Sequence, residues 1–218
     1  MEEQIISNIG STMDALSEIT GFSLVFLVAT VFSGFQSSEK IEILGFEVRT
    51  RVATIVLFGI LCGLIFNLTR LLLIISHLLS QLDGSQNRGQ AIIILQTHSW
   101  VFNPFAQTSG TWSFLLDNLG LALLLLIWWL GFHTGYFLLK GTNLSLSTSV
   151  SSWILSLFYL VFGLNAMIII MNLVKEINPE TVWIKFCCLF LSIPIGAFGL
   201  RKVLDDLHRL SNEVIGNS

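Results

Sequence analysis

Two charged residues inside the apolar part of this chain are its first candidates for chemistry. Arg70 lies toward the end of the apolar run Val52–Ile75, and Asp117 lies about one helical turn inside a later run. Because one membrane helix leaves on the side where the next one enters, both residues fall on the same side, and an Arg70–Asp117 ion pair is permitted. Such a pair either links two helices, which is the preferred interpretation, or belongs to an ion path.

Two amides in a later apolar run form a second candidate group. Asn165 and Asn172 lie two helical turns apart, so they share one helix face. Amides at such positions hydrogen-bond between membrane helices. We interpret them first as helix-association residues and second as residues that line a pore.

Catalytic motifs are missing from the sequence. It shows no Ser-His-Asp order, HExxH motif, glycine-rich phosphate loop or closely spaced pair of carboxylates. Cys62, Cys187 and Cys188 fall within apolar runs and lack CxxC spacing, so we interpret them as small apolar residues. The sequence therefore predicts a noncatalytic protein without a metal or another cofactor.

The elements that position these residues are apolar helices. The chain is 53% hydrophobic and 11% charged, with a mean hydropathy of +0.78, whereas soluble domains are about 25% charged. Five runs approach the length needed to cross a bilayer: Ile19–Phe35, Val52–Ile75, Phe114–Leu139, Trp153–Val174 and Val182–Leu200. The predicted fold is an all-α, multi-pass transmembrane bundle of about five spans, or four if the first run is interfacial or the last one re-enters.

Three regions follow from this pattern. Residues 1–20 form an amphipathic lead-in, residues 21–200 the transmembrane domain, and residues 201–218 a cytoplasmic amphipathic tail. The lead-in has apolar residues on one helix face, and it either lies at the membrane surface or extends the first span: Ile5, Ile9, Met13, Leu16 and Ile19.

Two short segments outside the spans have alternating or amphipathic patterns. Residues 40–49 alternate charged and bulky side chains around Leu44-Gly45, which is typical of a hairpin or of an extended connector in the headgroup layer. The tail carries one apolar helix face that either docks a partner or lies on lipid: Val203, Leu207, Leu210 and Val214.

The distribution of basic residues predicts the orientation. Under the five-span topology, the side that holds the N-terminus has four Lys and Arg residues and the other side has seven. This excess places the tail in the cytoplasm. The net charge of −3 is small and dispersed, so nucleic-acid binding is excluded from the expected functions.

One family resemblance rests on short apolar motifs. A first span is followed by Ile43-Leu44-Gly45-Phe46-Glu47-Val48, a long helix, and Trp100-Val101-Phe102-Asn103 before a third span rich in Leu and Trp. Over residues 20–175 this order resembles the integral-membrane module of uncharacterised bacterial proteins that also carry pentapeptide repeats, although this chain has no such repeat. The resemblance implies a bacterial membrane module without catalytic activity.

Taken together, these features predict a multi-pass protein of the bacterial cell inner membrane that anchors, senses or assembles. Its expected partners are the lipid bilayer, further copies of itself, and a cytoplasmic protein. A small oligomeric channel or pore-forming effector, such as one in antiphage defence, is the first alternative. A membrane-embedded enzyme is the second.

Overall fold

The computed structural model describes residues 2–35, 40–43, 46–107, 113–140 and 146–187, with side chains described for 2–30, 49, 52–107, 117–132 and 154–187. Within these residues, five helices and one two-stranded hairpin follow one another, and residues 182–187 are helical as well. The elements are α1 Glu2–Phe35, β1 Lys40–Ile43, β2 Phe46–Arg49, α2 Thr50–Ser80, α3 Arg88–Thr97, α4 Ser113–Lys140 and α5 Leu146–Ile177.

Among the described residues, three helices are long and apolar enough to cross a membrane, judged by length and composition: Glu2–Thr30, Val52–Ser80 and Ile154–Ile177. A shorter apolar stretch, Asp117–Phe132, lies within α4, whose backbone covers the predicted third span. Most of the predicted fifth span, from residue 188 onward, lies outside the described residues. The membrane character is therefore supported by three helices, and the number of spans stays a prediction.

The first helix is continuous from Glu2 to Phe35, without a break between lead-in and span. Its predicted apolar face is buried at four of five positions, with Ile19 only partly buried. These side chains pack in the common core because α1 lies against α2 and α3. The four buried residues are Ile5, Ile9, Met13 and Leu16.

Of the hairpin and the extended connector that the sequence allowed between the first two helices, the structure has the hairpin. Strands β1 and β2 pair antiparallel, with Lys40 opposite Arg49 and Ile43 opposite Phe46. This pairing places the two basic residues together at the end where β2 continues into α2. The connecting residues 44–45 lie outside the described part of the chain.

Helices α2 and α5 run parallel. Cys62 lies against the carbonyl of Leu155, with Sγ and O 3.4 Å apart, and the Thr69 hydroxyl donates to the carbonyl of Phe162 at 3.1 Å. Each pair is separated by 93 residues, so the two helices advance together. Such cross-helix bonds are typical of membrane bundles, in which polar side chains hold helices in register.

Helix α4 runs in the opposite direction along α5. Trp128 lies against Gly163, and Gly131, one turn later on α4, lies against Tyr159, one turn earlier on α5. The Tyr159 hydroxyl donates to the carbonyl of Ile127 at 3.1 Å. Since the indole of Trp128 occupies the position of a side chain at Gly163, only glycine allows this approach.

The exposed side chains of α1 and α2 are mostly polar near the end of the bundle that holds Glu2 and apolar farther from it. On α1 they are polar up to Glu18 and apolar from Phe22. On α2 the exposed side chains are apolar up to Phe66; Asn67 and Arg70 follow, and the exposed Leu73 lies beyond them. Large apolar surfaces of this kind mark contact with membrane or protein.

Candidate functional site

The polar groups of the structure gather at one end of the bundle, which we call the head and define as residues 81–107 and 176–187. At its centre is the turn Asn103-Pro104-Phe105. The Asn103 side chain is 2% exposed. Its Nδ2 donates to the carbonyls of Leu95 at 2.8 Å and His98 at 3.3 Å, and its Oδ1 accepts the N–H of Phe105 at 2.9 Å. One buried amide therefore joins α3 to the turn that follows it.

The next two carbonyls of this turn bind to the part of the chain beyond α5. The Pro104 carbonyl accepts the Lys185 ammonium at 2.6 Å, and the Phe105 carbonyl accepts the Asn178 amide at 3.0 Å. Asn178 and Lys185 are 5% and 1% exposed. Buried backbone carbonyls need partners, and side chains supply them here.

Helix α4 contacts the same turn through Gly120. A Cβ atom at Gly120 would lie 2.8 Å from the backbone nitrogen and 2.5 Å from the carbonyl oxygen of Asn103. Real Cβ atoms do not approach that closely, so a hydrogen at this position is what lets the turn rest on α4.

The buried Lys185 has an acidic neighbour. The Asp117 carboxylate, half-buried on α4, interacts electrostatically with the Lys185 ammonium. A buried ammonium needs hydrogen-bond acceptors, and the Pro104 carbonyl supplies one. The bond from Lys185 to Pro104 joins the helical segment 182–187 to the turn.

Helix α1 is tied to the head at two levels. The Trp100 indole N–H donates to the Thr20 hydroxyl at 2.8 Å in a buried contact. His98 Nε2 lies 3.1 Å from the Asp14 carboxylate, and His98 Nδ1 accepts the N–H of Trp100 at 3.1 Å. Because Nδ1 is an acceptor, neutral His98 carries its proton on Nε2 and donates it to Asp14.

Two further contacts close the outer end of the head. Arg88 pairs with both Asp83 and Glu176, so it joins the turn after α2 to the end of α5. The Glu2 carboxylate, at the end of α1 farthest from the apolar band, accepts hydrogen bonds from Ser85 and Asn87. These bonds favour the ionised form and hold the pKa of Glu2 below its ordinary value.

A cavity of about 20 Å³ lies in the bundle below the head, lined by residues of α1, α2, α4 and α5. It has room for roughly one water molecule. The Trp128 indole N–H and the Ser156 hydroxyl are buried without a hydrogen-bond partner in the described structure. A space of this size holds no organic substrate, since ligand pockets measure about 300–1,000 Å³.

The structure separates the residues that the sequence analysis selected. Arg70 is exposed on α2, whereas Asp117 is half-buried and acts on Lys185. No ion pair between Arg70 and Asp117 is present among the contacts of the described residues. Sharing one side of the bundle was not sufficient, because Arg70 follows Phe66 on the outward face of its helix.

The two selected amides also point outward. Asn165 and Asn172 are both exposed on α5, and the Asn165 amide donates to the carbonyl of Val161 in its own helix. They therefore join no helices within this chain among the contacts that the structure describes. The apolar tail residues Val203, Leu207, Leu210 and Val214 lie outside the described residues.

The sequence analysis missed the residues that build the head. Asn103, Asn178 and Lys185 were not selected, because their partners are distant along the chain. One local signal was present: each buried asparagine precedes a proline, and Asn-Pro marks a turn.

In the described part of the chain, no three His, Cys, Asp or Glu side chains are grouped closely enough to hold a metal ion. Comparison of the chain with protein-family models, curated proteins and solved structures finds no match.

Proposed function

We propose that this chain is a noncatalytic, multi-pass inner-membrane protein that anchors and assembles a partner protein. The observation that carries the proposal is the head. The polar groups of its central turn form hydrogen bonds with α3 on one side and with the segment after α5 on the other. Groups already used in internal hydrogen bonds are unsuited to bind a substrate, but they make a rigid support.

The proposed topology has five spans, with the head on the outer side and the tail in the cytoplasm. Its support is the antiparallel order of α4 and α5, the parallel order of α2 and α5, and the seven-to-four excess of basic residues. The bacterial inner membrane rests on the family resemblance given above and stays a prediction.

Reporter fusions test this topology. A reporter after Ser218 is expected in the cytoplasm, and one inserted at Asn87, in the turn of the head, is expected outside. If both report from the same side, the five-span topology is wrong. A cysteine-accessibility scan of residues 19–35 and 182–200 then identifies the run that does not cross.

The partner is proposed to bind the apolar face of the tail. Replacing Leu207 and Leu210 with Ser is expected to abolish capture of the cytoplasmic partner while membrane insertion is retained. Replacing Asp205 and Arg209 with Ser is the matched control, since the predicted tail helix places these two residues opposite the apolar face, and capture should stay intact. Tail-dependent binding to liposomes without any protein partner would contradict the proposal.

Self-association is part of the proposal, as expected from the sequence. Chemical cross-linking of the full-length protein in the membrane is expected to give a dimer or a larger oligomer. A monomer at every protein density would contradict this part of the proposal.

The channel alternative predicts a different result. If this protein serves only as an anchor, liposomes that contain it alone should show the same ion flux as empty liposomes. An ion current that changes in the Asp117→Asn or Asn165→Leu variant would contradict the assembly proposal and would support a channel.

A further inference from the structure

The outer edge where α2 meets α5 carries three phenylalanine rings in mutual contact, which we call the aromatic patch: Phe66, Phe158 and Phe162. Ring centroids lie 5.1 Å apart for Phe66 and Phe162, and 4.3 Å apart for Phe158 and Phe162. Phe66 is 42% exposed and Phe158 is 38% exposed. The patch therefore offers an apolar surface to whatever surrounds the bundle.

Two polar side chains lie one helical turn beyond this patch. Arg70 follows Phe66 by four residues and shares its face of α2, while Asn165 follows Phe162 by three residues on α5. Because the two helices run parallel, both side chains lie toward the same end of the patch, which is the end nearer the head. Both are exposed.

The charge of Arg70 is not neutralised within the described structure. The ion pairs there involve Arg88 with Asp83 and Glu176, and His98 with Asp14. A guanidinium carries five N–H donors in a planar fork that matches a phosphate group. Asn165 uses one N–H for the carbonyl of Val161 and keeps a second donor and its carbonyl oxygen.

We propose that Arg70, Asn165 and the aromatic patch bind one anionic glycerophospholipid. The lipid phosphate lies on Arg70, its glycerol ester region on Asn165, and an acyl chain on the three rings. Charge complementarity favours this ligand. The Arg70 guanidinium lies next to the aromatic patch, just as the phosphate of a glycerophospholipid lies next to its acyl chains. The inference rests on the proposed membrane orientation of α2 and α5.

Lipid retention by the full-length protein tests the site. The protein is purified in mild detergent with added phosphatidylglycerol or phosphatidylcholine, and bound lipid is counted by native mass spectrometry. Phosphatidylglycerol should be retained preferentially, and Arg70→Gln should lower its retention about tenfold, as expected for loss of a charged hydrogen bond. Arg49→Gln, an exposed arginine at the other end of α2, should leave retention unchanged.

Two further arms separate the contributions of head group and acyl chain. Arg70→Lys should retain part of the preference, because it keeps the charge but loses the fork. Glycerol phosphate without acyl chains should compete poorly; equal competition would show that the rings take no part and would overturn the proposal.

Other outcomes would also overturn it. These are equal retention of the two lipids by the unaltered protein, an equal loss in Arg49→Gln, or disulfide cross-linking of Phe66→Cys between two copies, which would show that a second chain covers the patch. The reporter fusions at Asn87 and Ser218 distinguish failure of this site from failure of the topology.

Discussion

Thr69 and Phe162 are joined by a hydrogen bond of 3.1 Å from the hydroxyl of one to the carbonyl of the other, across 93 residues of chain. Cys62 precedes Thr69 by seven residues on α2, and it contacts the carbonyl of Leu155, which is also 93 residues later in the chain. Two contacts with one offset fix both the direction and the register of α5 along α2. The relative level of the residues along these two helices follows from that register.

Thr69→Val should loosen this register. The substitution keeps the branched shape but removes the hydroxyl, whose single hydrogen is shared between the carbonyl of Phe162 and that of Ile65 in its own helix. Interhelical bonds of this kind are worth about 0.6 kcal/mol on average. We expect a small decrease in the thermal stability of the detergent-solubilised protein. Thr12→Val is the control, because the Thr12 hydroxyl bonds only to Asn8 within α1; an equal decrease there would mean that the bond between helices adds nothing.

Asn103→Ala should destabilise the head strongly. It removes the two donated bonds and leaves the N–H of Phe105 buried without its acceptor, which costs about 2–3 kcal/mol. Hydrogen exchange should accelerate across residues 95–107 more than in the middle of α2. Asn8→Ala, at an exposed position of α1, should show neither effect.

Gly120→Ala should separate α4 from the head. Its methyl group would meet the backbone of Asn103, which cannot rotate away as a flexible side chain would, so overpacking is expected to cost about 1–3 kcal/mol. Thermal unfolding measures this loss. Gly89→Ala places the same methyl group in open space on α3 and should leave stability equal or slightly higher.

The Glu2 contact should weaken in acid. Its carboxyl pKa is lowered in the folded protein, so the contact stabilises fully above the ordinary value of 4.5 and is lost as pH falls through the lower folded value. The difference in melting temperature between the unaltered protein and Glu2→Gln should be present at neutral pH and vanish in this acidic range. Glu3→Gln, exposed on the same turn, serves as the control, and a difference that persists in strong acid would refute the role of charge.

The apolar periodicity predicted those features of the fold that depend on local pattern. The spacing of Ile5, Ile9, Met13 and Leu16 identified the buried face of α1, and the alternation at residues 40–49 identified the hairpin. Both follow from the period of the backbone, since a face that repeats with the helix or strand must pack against something.

The lateral arrangement of the helices could not be predicted in the same way. The sequence placed Arg70 and Asp117 at a shared end of the bundle, but the neighbour of Asp117 proved to be Lys185, in a later segment. Depth along a helix follows from residue count, whereas the direction in which a side chain points relative to a distant helix depends on how all the helices pack. The contacts of Asn103 and Asn178 belong to this second kind.

Closure of the head has a consequence for synthesis of the chain. The carbonyls of Pro104 and Phe105 find their partners 81 and 73 residues later, in Lys185 and Asn178. While a ribosome produces those intervening residues, α1, α2 and α3 can already associate, but the turn after α3 has no partner for two of its acceptors. A pause in translation between residues 107 and 178 would therefore prolong an open intermediate, which is the species most accessible to insertion factors and quality-control proteases.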